Sequence, residues 1–274
     1  MRNLILAGAA AMAIAAPAFA QDSEARGGYD GFYVGGSFGG AVQPNDGGSI
    51  LLFSRNGTTF SNGIPTAAGA NAFSPGFCNG SATSTGNNAC RNDKDGIEYK
   101  ARIGGDTMFG KHIVVGFVGD LGKTRISDST SGFSTTPASY TLTRSLKYDA
   151  GARGRVGFTP NGTTLFYGTG GVAYGKLRNN FTTSNTANTF VTNGSHDAWG
   201  YSAGGGVEQR IGAFSIGLEY LYTSLRDNDT RVAVGAGTAP ATNPFILNGG
   251  GTTIARSDPN FRWHSMRVTA AFRF

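Results

Sequence analysis

Ionic side chains that alternate with apolar ones are the residues of this chain with the most evident chemical potential. Between 96 and 109 every second position is apolar or small, and the positions between them include Glu98, Lys100, Arg102 and Asp106. Successive side chains of a strand point to opposite faces. The segment therefore predicts a strand with one apolar face and one ionic face. The same pattern returns in four later segments, 148–158, 199–211, 214–222 and 266–274.

The three histidines are the natural candidates for catalysis. Acyl transfer would need a histidine and a serine within reach of each other on one face. His264 and Ser265 are neighbours in a predicted strand, so they point to opposite faces. His112 falls at a short turn and His196 in a loop. The sequence therefore predicts no enzyme, no catalytic residue, no metal site and no cofactor.

The first twenty residues differ from the rest of the chain. Arg2 supplies a positive start, 4–16 is apolar and rich in alanine, and 17–20 ends in a small-x-small cleavage pattern. This pattern is typical of a secretory signal peptide over 1–20, cleaved between Ala20 and Gln21. The formal net charge of +6 could suggest a nucleic acid partner. Export and the scattered positions of the basic residues argue against that partner.

The chain contains two cysteines, Cys78 and Cys90, in one polar stretch. In an oxidising compartment a close pair is typical of a loop disulfide. A metal site is the alternative, but histidines are missing nearby and the spacing does not fit. We expect a disulfide between the two residues.

Period-two alternation predicts an all-β chain of eight strands. Long polar links follow every odd strand and short turns follow strands two, four and six, as in an outer-membrane barrel. A soluble sandwich has no reason for such one-sided asymmetry. The predicted strands lie near 31–42, 96–109, 112–126, 140–158, 164–178, 198–211, 213–226 and 261–274.

Aromatic residues mark both ends of the apolar faces, as expected at two water–lipid interfaces. Tyr99, Tyr148, Trp199, Tyr201 and Tyr222 lie toward the long links. Toward the short turns lie Phe109, Phe158, Phe214, Phe272 and Phe274.

The ionic faces would then line the inside of the barrel. Eight strands enclose a lumen that their own side chains can fill, so we expect a paired internal network. A narrow ion pathway through that network is the alternative. The predicted interior charges are Glu98, Lys100, Arg102, Asp106, Asp120, Lys147, Asp149, Arg153, Arg155, Glu208, Arg210, Glu219, Arg267 and Arg273.

Several stretches together resemble the small outer-membrane β-barrel surface proteins of α-proteobacteria, within the opacity-protein/porin-like group. The resemblance covers the strands and leaves out the long links. The stretches are Gly31–Gly36, Val115–Asp120, Gly154–Phe158, Tyr167–Gly175, Gly206–Glu208, Leu218–Tyr222 and Phe272–Phe274.

The resemblance implies an eight-stranded barrel, a surface location, and insertion by the outer-membrane assembly machinery after escort by periplasmic chaperones. Phe274 resembles the C-terminal aromatic signal which that machinery reads. Outer-membrane lipid and lipopolysaccharide would surround the barrel. Some relatives bind haem or host surfaces, and His196 is the loop histidine that haem could use here.

The sequence thus predicts a signal peptide (1–20), a short periplasmic segment (21–30) and a barrel (31–274) whose first surface loop spans about 43–95. The leading functional hypothesis is a structural surface protein of the outer membrane. A small-diameter porin, and an adhesin or ligand-binding protein acting through its loops, are the alternatives.

Overall fold

The structure is a computed structural model of the chain. It describes residues 28–44, 48–79, 90–247 and 249–274. The predicted signal peptide and the cleavage site between Ala20 and Gln21 lie outside the described residues. Within those ranges no helix has the length and the apolar character needed to cross a membrane.

Fourteen strands run through the described residues. In chain order they are β1 (Gly31–Val42), β2 (Leu51–Arg55), β3 (Gly76–Asn79), β4 (Gly96–Phe109), β5 (Ile113–Thr124), β6 (Ser127–Ser134), β7 (Ala138–Phe158), β8 (Thr164–Thr183), β9 (Thr189–Thr192), β10 (Ser195–Ile211), β11 (Phe214–Arg226), β12 (Val232–Gly235), β13 (Thr252–Arg256) and β14 (Asn260–Arg273).

Eight of these strands close into an antiparallel barrel. Neighbours around it are β1, β4, β5, β7, β8, β10, β11 and β14, and β14 pairs again with β1. The predicted fold class is therefore confirmed. Three of the connections are tight, and Gly110 and Gly212 adopt positive φ angles of 67° and 62° in two of them, a conformation that glycine adopts at no steric cost.

The barrel is apolar outside and ionic inside, the inverse of a water-soluble fold. Along β4, Ile103 is 57% exposed while its neighbour Arg102 is 3% exposed. Such an apolar outer band around a polar interior is the arrangement of a barrel that spans a lipid layer. Other large outward side chains are Phe32, Phe38, Phe117, Leu121, Val156, Phe166, Val172, Ile216 and Val268.

Glycines on the inner face make room for the side chains that fill the lumen. A Cβ atom at Gly104 would lie 2.3 Å from the ring of Tyr33, and one at Gly116 would lie 2.0 Å from a carboxylate oxygen of Asp106. Both distances are far below van der Waals contact. The high glycine content of the strands is therefore tied to a crowded interior.

The long links are not plain polar connections, because they carry the six remaining strands. β2, β13, β12 and β9 form a four-stranded sheet that draws on three different links. β3 pairs with β6, and β6 pairs with β7 beyond the membrane-facing part of that strand. We call this outer body the cap. Its described residues are 48–79, 127–145, 179–194, 227–247 and 249–259.

A hydrophobic core holds the cap together. Phe53 and Phe73 have ring centroids 4.3 Å apart, and Tyr140 lies 5.2 Å from Phe73. Burying one such side chain contributes about 1.5–3 kcal/mol. The buried members of the cluster are Leu51, Phe53, Ile64, Ala72, Phe73, Tyr140, Leu142, Val232, Val234, Phe245 and Ile254.

The predicted disulfide is present. Cys78, in β3, is bonded to Cys90, six residues before β4 begins, and their Cα atoms are 6.0 Å apart. The bond therefore joins the edge of the cap to the chain that enters the barrel.

We expect the double substitution Cys78→Ser/Cys90→Ser to loosen the first link and leave the barrel folded. A disulfide closing a loop of this length contributes about 3 kcal/mol through chain entropy. Limited proteolysis should cut the variant earlier between 76 and 95, while its heat-dependent gel shift stays intact. Reduced wild type should behave like the variant. Equal cleavage rates for oxidised wild type and variant would contradict this role.

Candidate functional site

Four charged side chains form a closed ring near the short-turn end of the lumen. Arg155 bonds Asp106 through Nε (2.6 Å) and Glu208 through Nη1 (2.9 Å). Arg273 bonds Asp106 (2.8 Å) and Glu208 (2.7 Å) through Nη2. Each cation therefore bridges the same two carboxylates, and strands β4, β7, β10 and β14 are joined across the lumen.

Aromatic rings cover the guanidinium groups of this ring of charges. The guanidinium Cζ atoms of Arg155 and Arg273 lie 5.1 and 4.7 Å from the ring centroid of Tyr33, which is within cation–π range. Tyr29, from the segment predicted to be periplasmic, is fully buried and lies 4.8 Å from Arg273. Its hydroxyl group lies 2.7 Å from the carbonyl oxygen of Thr163. The short-turn end of the lumen is thus closed by packed side chains.

A second network fills the middle of the lumen. Arg267 donates to Glu219 through Nε (2.8 Å) and to Asp120 through Nη2 (3.0 Å). Arg102 bonds Glu219 at 2.7 Å and Arg153 bonds Asp120 at 2.5 Å. Three guanidinium groups therefore share two carboxylates. Two more carboxylates, Glu98 and Asp149, lie next to them on the side of the long links.

Those further acids belong to the outermost part of the same network. Lys100 forms an ion pair with Asp149, and its Nζ lies 3.8 Å from Glu98. Thr124 and Ser265 donate hydroxyl hydrogen bonds to Asp149 (2.9 Å) and Glu98 (3.0 Å) respectively. A small space of about 10 Å³ is lined by Lys100 and Asp149 among others and has room for about one water molecule.

The lumen charges balance. Twelve of the fourteen residues predicted for the interior are buried there, six cations and six anions. They are Glu98, Lys100, Arg102, Asp106, Asp120, Asp149, Arg153, Arg155, Glu208, Glu219, Arg267 and Arg273.

Lys147 and Arg210 depart from the prediction. The pairing of β7 with β8 shifts register between Leu146 and Tyr148, and such a bulge breaks the period of two. Lys147 and Tyr148 are consequently both exposed on the outer surface. Arg210 follows the alternation but lies half-buried at the rim, where its Nε donates to the carbonyl oxygen of Gly212 at 2.8 Å.

Apolar side chains close the lumen above the ion pairs. Phe261, Trp263 and Ser265 occupy alternate positions of β14, so all three side chains face the lumen. The ring centroids of Phe261 and Trp263 are 5.7 Å apart. The sequence analysis did not anticipate this layer, because the inward positions of the strands change from ionic to apolar near their outer ends. Its buried members are Ala41, Ile126, Leu146, Ala173, Leu177, Ala198, Leu225, Phe261 and Trp263.

A third buried ionic cluster joins the barrel to the cap. Arg144 contacts Asp128 (2.6 Å) and Asp227 (3.3 Å), and Arg256 contacts Asp128 (2.6 Å). His196 Nε2 lies 2.7 Å from Asp227. Burial raises the pKa of the Asp227 carboxyl, but the hydrogen bond from His196 and the charge of Arg144 outweigh burial and lower that pKa below its usual 3.8. The stability that this carboxylate contributes is therefore present above pH 3.8 and is lost as the pH falls.

The histidines do not form a catalytic group with Ser265. His264 lies on the outer face, where Nδ1 is 2.7 Å from the hydroxyl oxygen of Tyr220, while Ser265 is buried inside. His112 Nδ1 lies 2.9 Å from the carbonyl oxygen of Thr159 at a turn. Both ring nitrogens of His196 have neighbours, since Nδ1 is 3.3 Å from the Asn179 amide nitrogen. His196 is thus not arranged as an open haem ligand.

The cap contains a cavity of about 260 Å³. Phe73, Tyr140 and Phe245 form part of its wall, and Asn185 and Asn243 are among its polar members. Its described lining carries no charged side chain. Sequence reasoning missed this feature, although the apolar runs at 50–53 and 232–234 were a signal that the long links could fold.

No protein-family model matches the chain. The chain is 36% identical over 74 residues to the 31 kDa outer-membrane immunogenic protein of Brucella melitensis, and equally to that of Brucella suis. The match covers 27% of this chain and 31% of each relative, so it spans about a third of their length.

Two solved structures are also similar. One is the outer membrane protein OprG from Pseudomonas aeruginosa, 13% identical, with a TM-score of 0.49, covering 90% of this chain and 99% of that one. The other is Neisserial surface protein A, 10% identical, with a TM-score of 0.36, covering 89% and 98%.

The Brucella relatives and the lipid-facing barrel decide the class. This chain is an outer-membrane β-barrel protein. The resemblance to small α-proteobacterial surface barrels and the predicted Gram-negative outer-membrane location are confirmed. The absence of enzymatic activity stays a prediction for this outer-membrane barrel.

The end of the outer-membrane barrel is anchored in the sheet. The Phe274 amide donates to the Phe32 carbonyl oxygen at 3.0 Å, and the Phe32 amide donates to the Phe274 carbonyl oxygen at 3.1 Å. The Phe272 and Phe274 rings lie 6.4 Å apart. Phe274 is thus hydrogen-bonded to Phe32 at the rim of the barrel. Recognition of Phe274 by the assembly machinery stays a prediction.

We expect Glu208→Ala to destabilise the outer-membrane barrel more than a substitution in an exposed turn does. It leaves Arg155 and Arg273 buried with one shared carboxylate, and breaking a buried pair costs about 3–5 kcal/mol. Thermal unfolding followed by the gel shift measures the loss. Lys111→Ala, in an exposed turn, is the control and should change the free energy of unfolding by less than about 0.5 kcal/mol. Superimposable melting curves for the two variants would refute the packed network.

Proposed function

We propose that the protein is a closed structural barrel of the outer membrane, which contributes to envelope integrity and holds a folded cap at the cell surface. The observation that carries this proposal is the filled lumen. Two ion networks and an apolar layer lie in series between the two ends of the barrel.

The small-porin alternative requires a wet path through this series. Each guanidinium group of the lower ring is held by two carboxylates and by aromatic rings. Displacing one of these groups would leave unpaired charge in a buried interior, which costs several kcal/mol. The energetic barrier to opening such a path supports the structural role over transport.

Ligand binding through the cap is the second candidate, and the uncharged cavity beside Phe73 and Phe245 favours it. Binding residues often lie on loops that a rigid scaffold positions. Here the scaffold includes the cap itself, since three links share one sheet. A neutral small molecule suits this cavity better than a charged group such as haem.

Assembly and surroundings complete the proposal. A terminal Phe274 on the last strand and an apolar band of lipid-facing residues fit insertion by the outer-membrane assembly machinery with the help of periplasmic chaperones. Outer-membrane lipid and lipopolysaccharide are then the permanent neighbours of the barrel, and host or ligand contacts would use the cap.

We expect refolded protein (21–274) to be silent in a planar bilayer, because the lumen charges are paired and covered. Single-channel recording measures this, with the heat-dependent gel shift as proof of folding and a general porin in the same bilayer as the positive control. Discrete, reproducible conductance steps from the folded protein would overturn the structural role in favour of the porin.

A further inference from the structure

The distribution of charge in the chain is uneven between the inside and the outside. Among the described residues, eight cations and eight anions are buried, so the interior is neutral. The whole chain nevertheless carries six more basic than acidic residues. The excess positive charge must therefore belong to the remaining, less buried part of the protein.

Five of the basic side chains lie together on one side of the outer surface. Lys123 lies near the end of β5 and Arg125 directly follows that strand, Lys147 lies on β7, and Lys176 and Arg178 lie on β8. β7 pairs with both β5 and β8, so the five residues occupy three adjacent strands. We call them the basic patch.

The bulge in β7 contributes to the patch. The register shift at Leu146 turns Lys147 outward beside Tyr148. Tyr148 in turn is directly opposite Lys176, and Ser145 is opposite Arg178. Opposed residues of neighbouring strands have Cβ atoms about 4.5–5.5 Å apart. The irregularity that removes Lys147 from the lumen therefore adds a cation to this cluster.

Most of the patch is uncompensated. Lys176 pairs with Asp197 at 2.8 Å, but the Lys176 side chain is partly exposed and that of Asp197 is exposed, and such surface pairs are worth little. No described carboxylate lies within salt-bridge distance of Lys123, Arg125, Lys147 or Arg178. Four exposed cations thus lie in one patch without a carboxylate partner among the described residues.

The depth of the patch in the membrane follows from the aromatic residues beside it. Arg125 lies 5.9 Å from the ring centroid of Tyr99, and the rings of Tyr148, Tyr174 and Trp199 follow one another at 6.1 and 5.0 Å. Aromatic belts mark the water–lipid interface. The patch begins at this belt and continues on its long-link side, which is the level of lipid headgroups.

We infer that the basic patch binds a phosphorylated lipid headgroup of the outer leaflet. Lysine and arginine bind phosphate through charge-assisted hydrogen bonds, and a lipid-facing surface at headgroup depth is within reach of such a lipid. The aromatic rings below the patch offer an apolar surface for the first part of the acyl chains. This goes beyond the structural role, since it assigns the barrel a specific lipid partner.

The test compares thermal unfolding in vesicles of phosphatidylcholine alone, with added bis-phosphorylated lipid A, and with added dephosphorylated lipid A. EDTA removes divalent cations that would bridge the phosphates. Both leaflets contain the lipid, so the orientation of the protein does not affect the result. A ligand that binds the folded state raises the melting temperature.

We expect phosphorylated lipid A to raise the melting temperature of the wild type and dephosphorylated lipid A to leave it unchanged. Lys123→Gln/Lys147→Gln/Arg178→Gln should lose at least about half of the shift. The control is Arg91→Gln/Lys111→Gln/Arg231→Gln, which removes the same charge from the first link, a short turn and the cap. It should keep the full shift.

Equal shifts in the patch variant and the control, or equal shifts with both forms of lipid A, would overturn the inference. If the triple variant does not refold, Lys147→Gln and Arg178→Gln are compared singly with Lys111→Gln by the same criterion. The structural role is tested by bilayer conductance, whereas lipid binding is tested by the shift in melting temperature. Failure of one proposal can therefore be distinguished from failure of the other.

Discussion

The pairing of buried charges in a narrow lumen is the interaction on which the rest of the structure depends. Ionised groups removed from water are tolerable only when they are paired and hydrogen-bonded. Arg155, Arg273, Asp106 and Glu208 meet this requirement as a closed ring across four strands. The alternation of ionic and apolar residues along each strand then follows, because lipid outside and paired charge inside demand opposite chemistry on successive positions.

The same constraint organises the two ends and the outside. Tyr29 and Tyr33 close the ring on one side, and Trp263 and its apolar neighbours separate the ion pairs from the cap on the other. The cap is itself a folded body with a core around Phe53 and Phe73. Since the buried charges cancel, the surplus of basic residues is left to the outer surface, where the basic patch meets lipid headgroups.

Much of this architecture could be predicted from the sequence, because period-two patterns report directly on which face of a strand meets lipid. The eight barrel strands and twelve of the fourteen interior charges came from that pattern. Lys147 could not be placed, since a bulge depends on pairing with β8 and leaves no mark in the local alternation. The fold of the cap could not be predicted from the sequence either. Its sheet joins residues as distant as Arg55 and Thr252, and such long-range pairing is invisible to local patterns.

The central claim, a sealed lumen, is tested most directly by the accessibility of a cysteine placed inside it. Cys78 and Cys90 are bonded to each other, so Ser265→Cys would carry the single free thiol of the protein beside Glu98. Thr136→Cys, exposed in the cap, is the control. We predict that a charged methanethiosulfonate reagent modifies the cap cysteine at once and leaves the lumen cysteine unmodified until the barrel is unfolded. Comparable modification rates in the folded protein would show a wet lumen and contradict the account.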